Sequence, residues 1–353
     1  MAIVEKNERN SSIELLRILL GFAVIILHFN YYPGGCGGGA VELTAGATQI
    51  VLMFLEILCI CAVNVFVLIS GYFGVKTEKI NFSRVIKLII QTVAFQFALT
   101  FVSCLMSGSF SIVKLCRALL PVNYYVILYS SLMMVAPYIT RLMNSLKEKT
   151  LRIFMLFSFL LFSVYPTIVE VLEEVMGETF EGLSSIGLSG SDAGYTIVNF
   201  ILMYIIGAFL KITNQKEKRS IMQLTIILVM CIFVLFSWRA FLPNTAFYYC
   251  NPLIIIEGVC IFLLFAKLHI KIKVINLLAP ASFSCFLINV QLLGFIGFEW
   301  LAGKPLFGVL GGMLAEAIGI YLVAFVAMNT WNFVTKPLFS HTVDKIPEYG
   351  LEE

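Results

Sequence analysis

The chain has 353 residues, 60% of them hydrophobic and only 13% charged, with a mean hydropathy of +0.95 and a formal net charge of +3. An average soluble domain carries about a quarter charged residues, so a soluble globular protein is excluded and a polytopic membrane protein, surrounded by membrane lipids, is expected. The basic residues form no stripe interleaved with aromatics, which argues against a nucleic-acid partner.

Ten stretches reach the roughly 17–25 apolar residues that cross hydrocarbon as a helix. They are 13–32, 50–73, 84–106, 119–139, 151–172, 195–212, 221–241, 252–268, 276–298 and 307–334. The fold class that follows is all-α, a membrane helix bundle forming one domain over 1–340, with a short cytoplasmic tail at 341–353. If the N-terminus is cytoplasmic, only Lys114, Arg117, Arg239 and Lys304 fall on the outer side, and Arg17 lies within the first span. The other nineteen of the 24 basic residues are then cytoplasmic. The positive-inside rule predicts that asymmetry, with both termini inside.

Lys6 and Arg9 precede the first apolar run, but no small-residue cleavage pattern follows, so a retained helix is expected in place of a secretory signal. This span holds Arg17 and also His28, the one histidine of three in a predicted span. A charge near the centre of a spanning helix costs ~2.5–3.5 kcal/mol, which makes function the first explanation to weigh. Eleven residues at 100° each make three turns plus about 20°, stacking the two side chains on one face about 16 Å apart. Glu14, Gly21 and Val24 complete the stripe, which is polar at its inner end and narrow in the middle. The competing reading has Arg17 snorkelling to the inner headgroups beside Glu14, and His28 hydrogen-bonded to a neighbouring helix.

The glycine-rich run from Pro33 to Gly39 lacks the Lys and Ser/Thr of a phosphate loop and reads as a flexible exit from the first helix. The second span brings Glu56, Asn64, Ser70 and Gly71; later spans bring Gln91, Gln96, Asn123, Asn199, Glu257, Asn289, Gln291 and Glu316. Intramembrane carboxylates face bundle interiors, and one of them could orient His28 as the acid orients the base of a hydrolase triad. Glu257 and Glu56 are the preferred candidates. The loop from Glu173 to Asp192 holds five acidic residues and no Lys or Arg, as a solvated linker or a lip over an outer acceptor site would. The nine cysteines lack zinc-ligand spacing, so no metal is expected; Cys36, Cys116 and Cys250 fall on the outer side, where one disulfide could form. There is no internal repeat of the kind many transporters show.

The segment from Ser12 through Arg17 to His28 resembles the Arg-x10-His signature of the acyltransferase-3 family, integral membrane enzymes that acylate cell-surface glycans and related acceptors. Asn64 to Phe73, with Ser70-Gly71 at its core, is similar to the family's Phe-Phe-x-x-Ser-Gly-Tyr/Phe block. Arg84 and Lys87 stand where the family commonly has Arg-x-x-Arg, and Lys offers a point charge where Arg offers a planar fork. Tyr124-Tyr125, Tyr204 to Gly207, and Tyr249 to Lys267 extend the resemblance over nearly the whole chain. One position departs from it. Many relatives end Tyr-Leu-Ile-His where this chain ends with Asn289, and Asn cannot exchange protons near neutral pH. Asn289 is therefore expected to position the acceptor or to serve structure.

The resemblance implies an O-acyltransferase of the bacterial cytoplasmic (plasma) membrane. It would move an acyl group, acetyl by default and succinyl as an alternative, from cytoplasmic acyl-CoA to a hydroxyl of a cell-surface glycan or its lipid-linked saccharide precursor. Capsule, exopolysaccharide and O-antigen are the associated acceptor classes. Acetyl-CoA would be a co-substrate, with no bound cofactor. A hydroxyl is a poor nucleophile until its proton is removed, and His28 can remove it. The donor's phosphates need cations, and the expected topology puts Arg17, Arg84 and Lys87 on the donor's side. Ser70 is either a covalent acyl carrier or, with Gly71, a close-packing pair that admits the donor. A transporter or flippase using His28 and an intramembrane Glu as a proton relay is the rival class.

Overall fold

A computed structural model describes residues 10–31, 39–180, 182–184, 193–301 and 303–350. Helices occupy all ten predicted stretches: α1 (Ser11–Asn30), α2 (Gly46–Cys59) with α3 (Ala62–Gly74), α4 (Phe82–Met106), α5 (Tyr124–Ser145), and α6 (Glu148–Phe159) with α7 (Tyr165–Met176). There follow α8 (Ile197–Ile212), α9 (Ile221–Phe241), α10 (Pro252–Lys267), α11 (Ala281–Ile296) and α12 (Leu306–His341). Eight of these units are long and apolar enough to cross a membrane, while α8 and α11 have 16 residues each. The chain is a polytopic helical bundle.

Polar residues between the apolar runs start the helices. Side chains of Asn10, Asn81, Asn123, Thr196 and Asn251 accept hydrogen bonds from first-turn backbone N–H groups of α1, α4, α5, α8 and α10, and Ser220 with Gln223 forms a capping box on α9. Several boundaries differ from expectation, three of them with a break or a late start inside the expected stretch. The second stretch, expected as one helix, breaks at Ile60–Cys61. The fourth starts at Tyr124 and not at 119, because Pro121 disfavours helix in the residue before it and Asn123 supplies the cap. The fifth runs on through a π-helical turn at Leu160–Val164, just ahead of Pro166, whose missing N–H breaks the regular ladder.

Large apolar side chains cover the outside. Leu314, Ile318, Leu322 and Val326 make an exposed i, i+4 stripe on α12, and Ile226, Val229, Met230 and Phe233 do the same on α9. Such continuous apolar surface is what lipid covers. Inside, α3 and α8 cross with almost no gap: a Cβ on Gly71 would lie 2.1 Å from the Tyr204 carbonyl oxygen, and one on Gly207 2.2 Å from that of Leu68. Small residues let helix backbones approach this closely where apolar burial gives no driving force.

Helix α12 continues to His341, and the segment beyond it folds back on the start of α4. Lys79–Ile80 pairs antiparallel with Tyr349–Gly350, Phe82 meets the Tyr349 ring edge-on at 5.5 Å, and Lys87 forms an ion pair with Asp344. The described part of the tail is thus docked. Among the described residues Cys116 and Cys250 are free thiols and form no outer disulfide; Cys36 and most of the glycine-rich run lie outside the described residues, as do Lys6, Arg9, Glu181 and Asp192.

Candidate active site

A cavity of about 730 Å³ opens among the ends of the helices remote from the N-terminus. The end of α1 contributes Val24, Leu27 and His28, followed by Tyr31; the entries to α5, α8 and α10 contribute Asn123, Tyr124, Tyr125, Tyr195, Phe247 and Tyr249. Glu56, ten residues or about 15 Å into α2, and Thr92, fourteen residues or about 21 Å back from the end of α4, mark its depth. Phe286 and Gln291 on α11 close the remaining wall. The volume suits a small-molecule or sugar-sized ligand.

The aromatic wall is held by a buried polar clasp. Asn199 donates to Asn64 Oδ1 at 2.8 Å, and Asn64 donates to the Tyr249 carbonyl at 2.8 Å, which fixes the Tyr249 backbone against α3. Tyr195 packs between Tyr124 and Tyr249 with centroids 5.5 and 5.0 Å away. At the rim, Arg239 donates to the Tyr31 hydroxyl at 2.6 Å and to the Pro243 carbonyl at 3.0 Å, and lies 4.9 Å over the Phe247 ring. The acidic loop is partly structural: Glu174 accepts from Asn244 N, Thr245 N and Thr245 Oγ1 at 2.6–3.0 Å. The residues just after that loop, Ala193 and Tyr195, reach the cavity.

Of the residues expected at a site, the fold brings His28 and Glu56 into this one cavity and sets Asn289 beside His28. Glu56 is 4% exposed and its Oε2 has no hydrogen-bond partner. Glu257 is fully buried on α10, away from the lining, with Cys59 and Cys61 among its neighbours; of the two preferred carboxylates only Glu56 faces the cavity. Arg17 and Glu14 form an ion pair at 3.0 Å, the arrangement of the competing sequence reading. The stripe between Arg17 and His28 is not open along its length. Gly21 is covered by the Tyr321 ring and Ser282, where an added Cβ would meet atoms at 3.3 and 3.5 Å, so the cavity ends at Val24. The charge of Arg17 reaches instead toward Tyr125.

Ser70 donates to the Phe66 carbonyl at 3.1 Å and accepts from the Tyr129 hydroxyl at 2.8 Å. Tyr129 in turn stacks on Tyr125 at 5.4 Å. Gly71 is engaged in the α3–α8 crossing. Arg84 is exposed at the start of α4, and Lys87, one turn on, is ion-paired to Asp344 and lies 5.6 Å from the Phe339 ring.

A family model described as an acyltransferase domain matches residues 10–339. The chain belongs to the acyltransferase-3 family. This membrane acyltransferase therefore carries His28, the one histidine in its bundle interior, in the wall of its principal cavity. Neither a curated protein nor a solved structure matches the chain. Sequence reading missed Arg239, Tyr195, Phe247 and Phe286 as site residues. They lie far apart in the chain, and each looks like an ordinary interfacial aromatic or outer-side charge until the loops bring them together.

Proposed function

We propose that the protein transfers an acyl group, acetyl by default, from acyl-CoA to a hydroxyl of a cell-surface glycan or its lipid-linked precursor, with His28 as general base. The observation that carries this reading is His28 in the wall of a sugar-sized cavity otherwise lined mainly by aromatic and neutral polar side chains. Aromatic faces accommodate the C–H faces of a sugar ring, while Thr92, Gln96, Asn123 and Gln291 offer hydrogen bonds to its hydroxyls. The acceptor oxygen attacks the thioester carbonyl as its proton passes to His28. Collapse of the tetrahedral intermediate breaks the carbon–sulfur bond, and the proton held by His28 passes to the departing thiolate.

The donor is taken to approach from the cytoplasmic side, where the bundle presents Arg17 and Arg84, with Lys87 available if Asp344 releases it. These cations suit the donor's phosphates. We assign the protein to a plasma membrane with both termini cytoplasmic, on the asymmetry of its basic residues.

The test is transfer of labelled acetyl from acetyl-CoA into membrane-associated glycan, comparing the intact chain with His28→Ala at equal membrane abundance. Transfer by the intact chain and its loss in the variant are expected. A well-inserted His28→Ala protein with full activity would remove the base assignment, and failure of the intact chain across several glycan acceptors would remove the donor or acceptor class.

A further inference from the structure

Two of the buried, unpartnered polar atoms in the bundle belong to neighbouring side chains. Asn289 is fully buried in the middle of α11, and its Nδ2 donates to the carbonyls of Cys285 at 3.0 Å and Phe286 at 2.8 Å. Those two bonds fix the amide. Turning it over would set Oδ1 against two carbonyl oxygens, which offer no proton. Oδ1 therefore points away from its own helix, buried and without a hydrogen-bond partner. On α1, Nδ1 of His28 is also buried and unpartnered, and the two side chains are polar neighbours. An amide oxygen can only accept. The two orphans satisfy each other only when Nδ1 carries the proton.

We infer that Asn289 is a positioning residue that holds His28 as the Nδ1–H tautomer, leaving Nε2 as the nitrogen that accepts the proton of the acceptor hydroxyl. The inference rests on the reading of His28 as general base and goes beyond it, because it assigns the tautomer and the group that sets it. An amide can orient a catalytic imidazole without supplying charge, as Asn does in the Cys-His-Asn arrangement of papain-like proteases. Of the two carboxylates favoured from sequence, Glu56 shares the cavity without a hydrogen bond to His28, and Glu257 lies outside it. The other titratable groups in the cavity wall are Tyr31 on the end of α1, Tyr124 and Tyr125 on α5, and Tyr195 and Tyr249 ahead of α8 and α10. Arg239 on α9 bonds Tyr31 at the rim; α4 and α11 bring Thr92, Gln96 and Gln291, which do not titrate, and Glu316 on α12 neighbours Trp300 outside the cavity.

The experiment measures kcat, the two KM values and the pH–rate profile for the full chain and for Asn289→Leu, Asn289→Asp and His28→Ala, all at equal membrane abundance. Asn289→Leu keeps the volume and removes the acceptor, and its kcat is expected to fall roughly 10²–10⁴-fold with both KM values little changed. Asn289→Asp restores an acceptor oxygen, and its second oxygen carries a proton toward the Cys285 and Phe286 carbonyls that Nδ2 served, so the side chain stays neutral. It is expected to recover most of kcat with the pH–rate profile little moved. An Asn289→Leu enzyme retaining a third or more of kcat, or an Asn289→Asp enzyme as impaired as Asn289→Leu, would overturn the inference while His28→Ala inactivity kept the base reading intact. An active His28→Ala enzyme would overturn both. The ring-nitrogen NMR signals of His28 in the solubilised full chain, in a His269→Gln, His341→Gln background, give a second readout that needs no variant at 289: an Nδ1–H tautomer supports the inference and an Nε2–H tautomer refutes it.

Discussion

Replacing Gly71 by Ala separates the two roles that the Ser70-Gly71 pair was expected to combine, helix packing and access for the donor. The added carbon would lie 2.1 Å from the Tyr204 carbonyl oxygen, where ordinary contact begins near 3.4 Å, so over 1 Å must be found. The obstacle is the backbone of α8, which cannot swing aside as a side chain would. Overpacking typically costs ~1–3 kcal/mol, and a clash of backbone on backbone puts this one at about 3 kcal/mol or above. Gly207→Ala meets Leu68 at 2.2 Å across the same crossing, so the double variant should lose less than the sum of the singles, because helices already parted for one methyl have room for the second. The assay is thermal unfolding in detergent followed by tryptophan or thiol-dye fluorescence, with a fall of order 5 °C expected for each single variant. The donor KM of the folded fraction should be unchanged. A Gly71→Ala protein that melts like the parent but binds donor more weakly would refute the packing argument and return Gly71 to the donor site.

Ser70→Ala should remove the bond to Tyr129 at a cost of about 1 kcal/mol and leave kcat within several-fold; complete loss of transfer, with trapping of acyl on the parent's Ser70, would make it a covalent carrier. Asp344→Asn should release Lys87, change stability by less than about 1 kcal/mol because the pair is exposed, and lower the donor KM at low salt; an unchanged KM would take Lys87 out of the donor site. Arg17→Leu leaves the nearly buried Glu14 unpaired and should destabilise by about 1–2 kcal/mol, reduced from a fully buried pair by Arg17's 37% exposure. Adding Glu14→Leu should restore the melting temperature. If it also restored transfer, Arg17 would be a structural partner of Glu14 and not a donor ligand.

The bundle was legible in the sequence because its strongest signal is one that tertiary context rarely overrides. Runs of 17 or more apolar residues have few alternatives to a membrane helix, and each of the ten stretches holds a helix, eight of them in units long enough to cross. The departures fall where local geometry competes with hydropathy. Ile60 and Cys61 are as apolar as their neighbours, so the break between α2 and α3 carries no compositional mark. The candidate site was legible in part, since His28, Glu56, Gln96, Asn123 and Gln291 all line the cavity. Helical periodicity rightly set Arg17 and His28 on one face, but it has no information about what covers that face, and Tyr321 and Ser282, some 300 and 260 residues downstream, cover Gly21. The loop-borne wall of Tyr195, Phe247 and Tyr249 was invisible for the same reason: its members share no period and are juxtaposed only by the packing of α8 and α10.

That closed middle bears on how the two ends of the first helix can work together. Arg17 and His28 are about 16 Å apart along α1, and the direct line between them is filled, so an acyl chain cannot follow the stripe itself. On the α5 side the partition is built of tyrosines. Tyr125 lines the cavity, lies within reach of Arg17's charge, and stacks on Tyr129, whose hydroxyl is tied to Ser70 near the N-terminal end of the bundle. The residues that resemble separate family blocks, Arg17 to His28, Ser70-Gly71 and Tyr124-Tyr125, thus meet at one place between the cations and the cavity. Tyr125 also packs against Phe200 at 5.6 Å and Phe286 at 4.7 Å, so the partition here is built of aromatic side chains, whereas the α3–α8 crossing beside it is made where two backbones touch. The boundary between Arg17 and the His28 cavity is therefore made of groups that can change rotamer at Tyr125 and Tyr129, and of fixed backbone at Gly71 and Gly207.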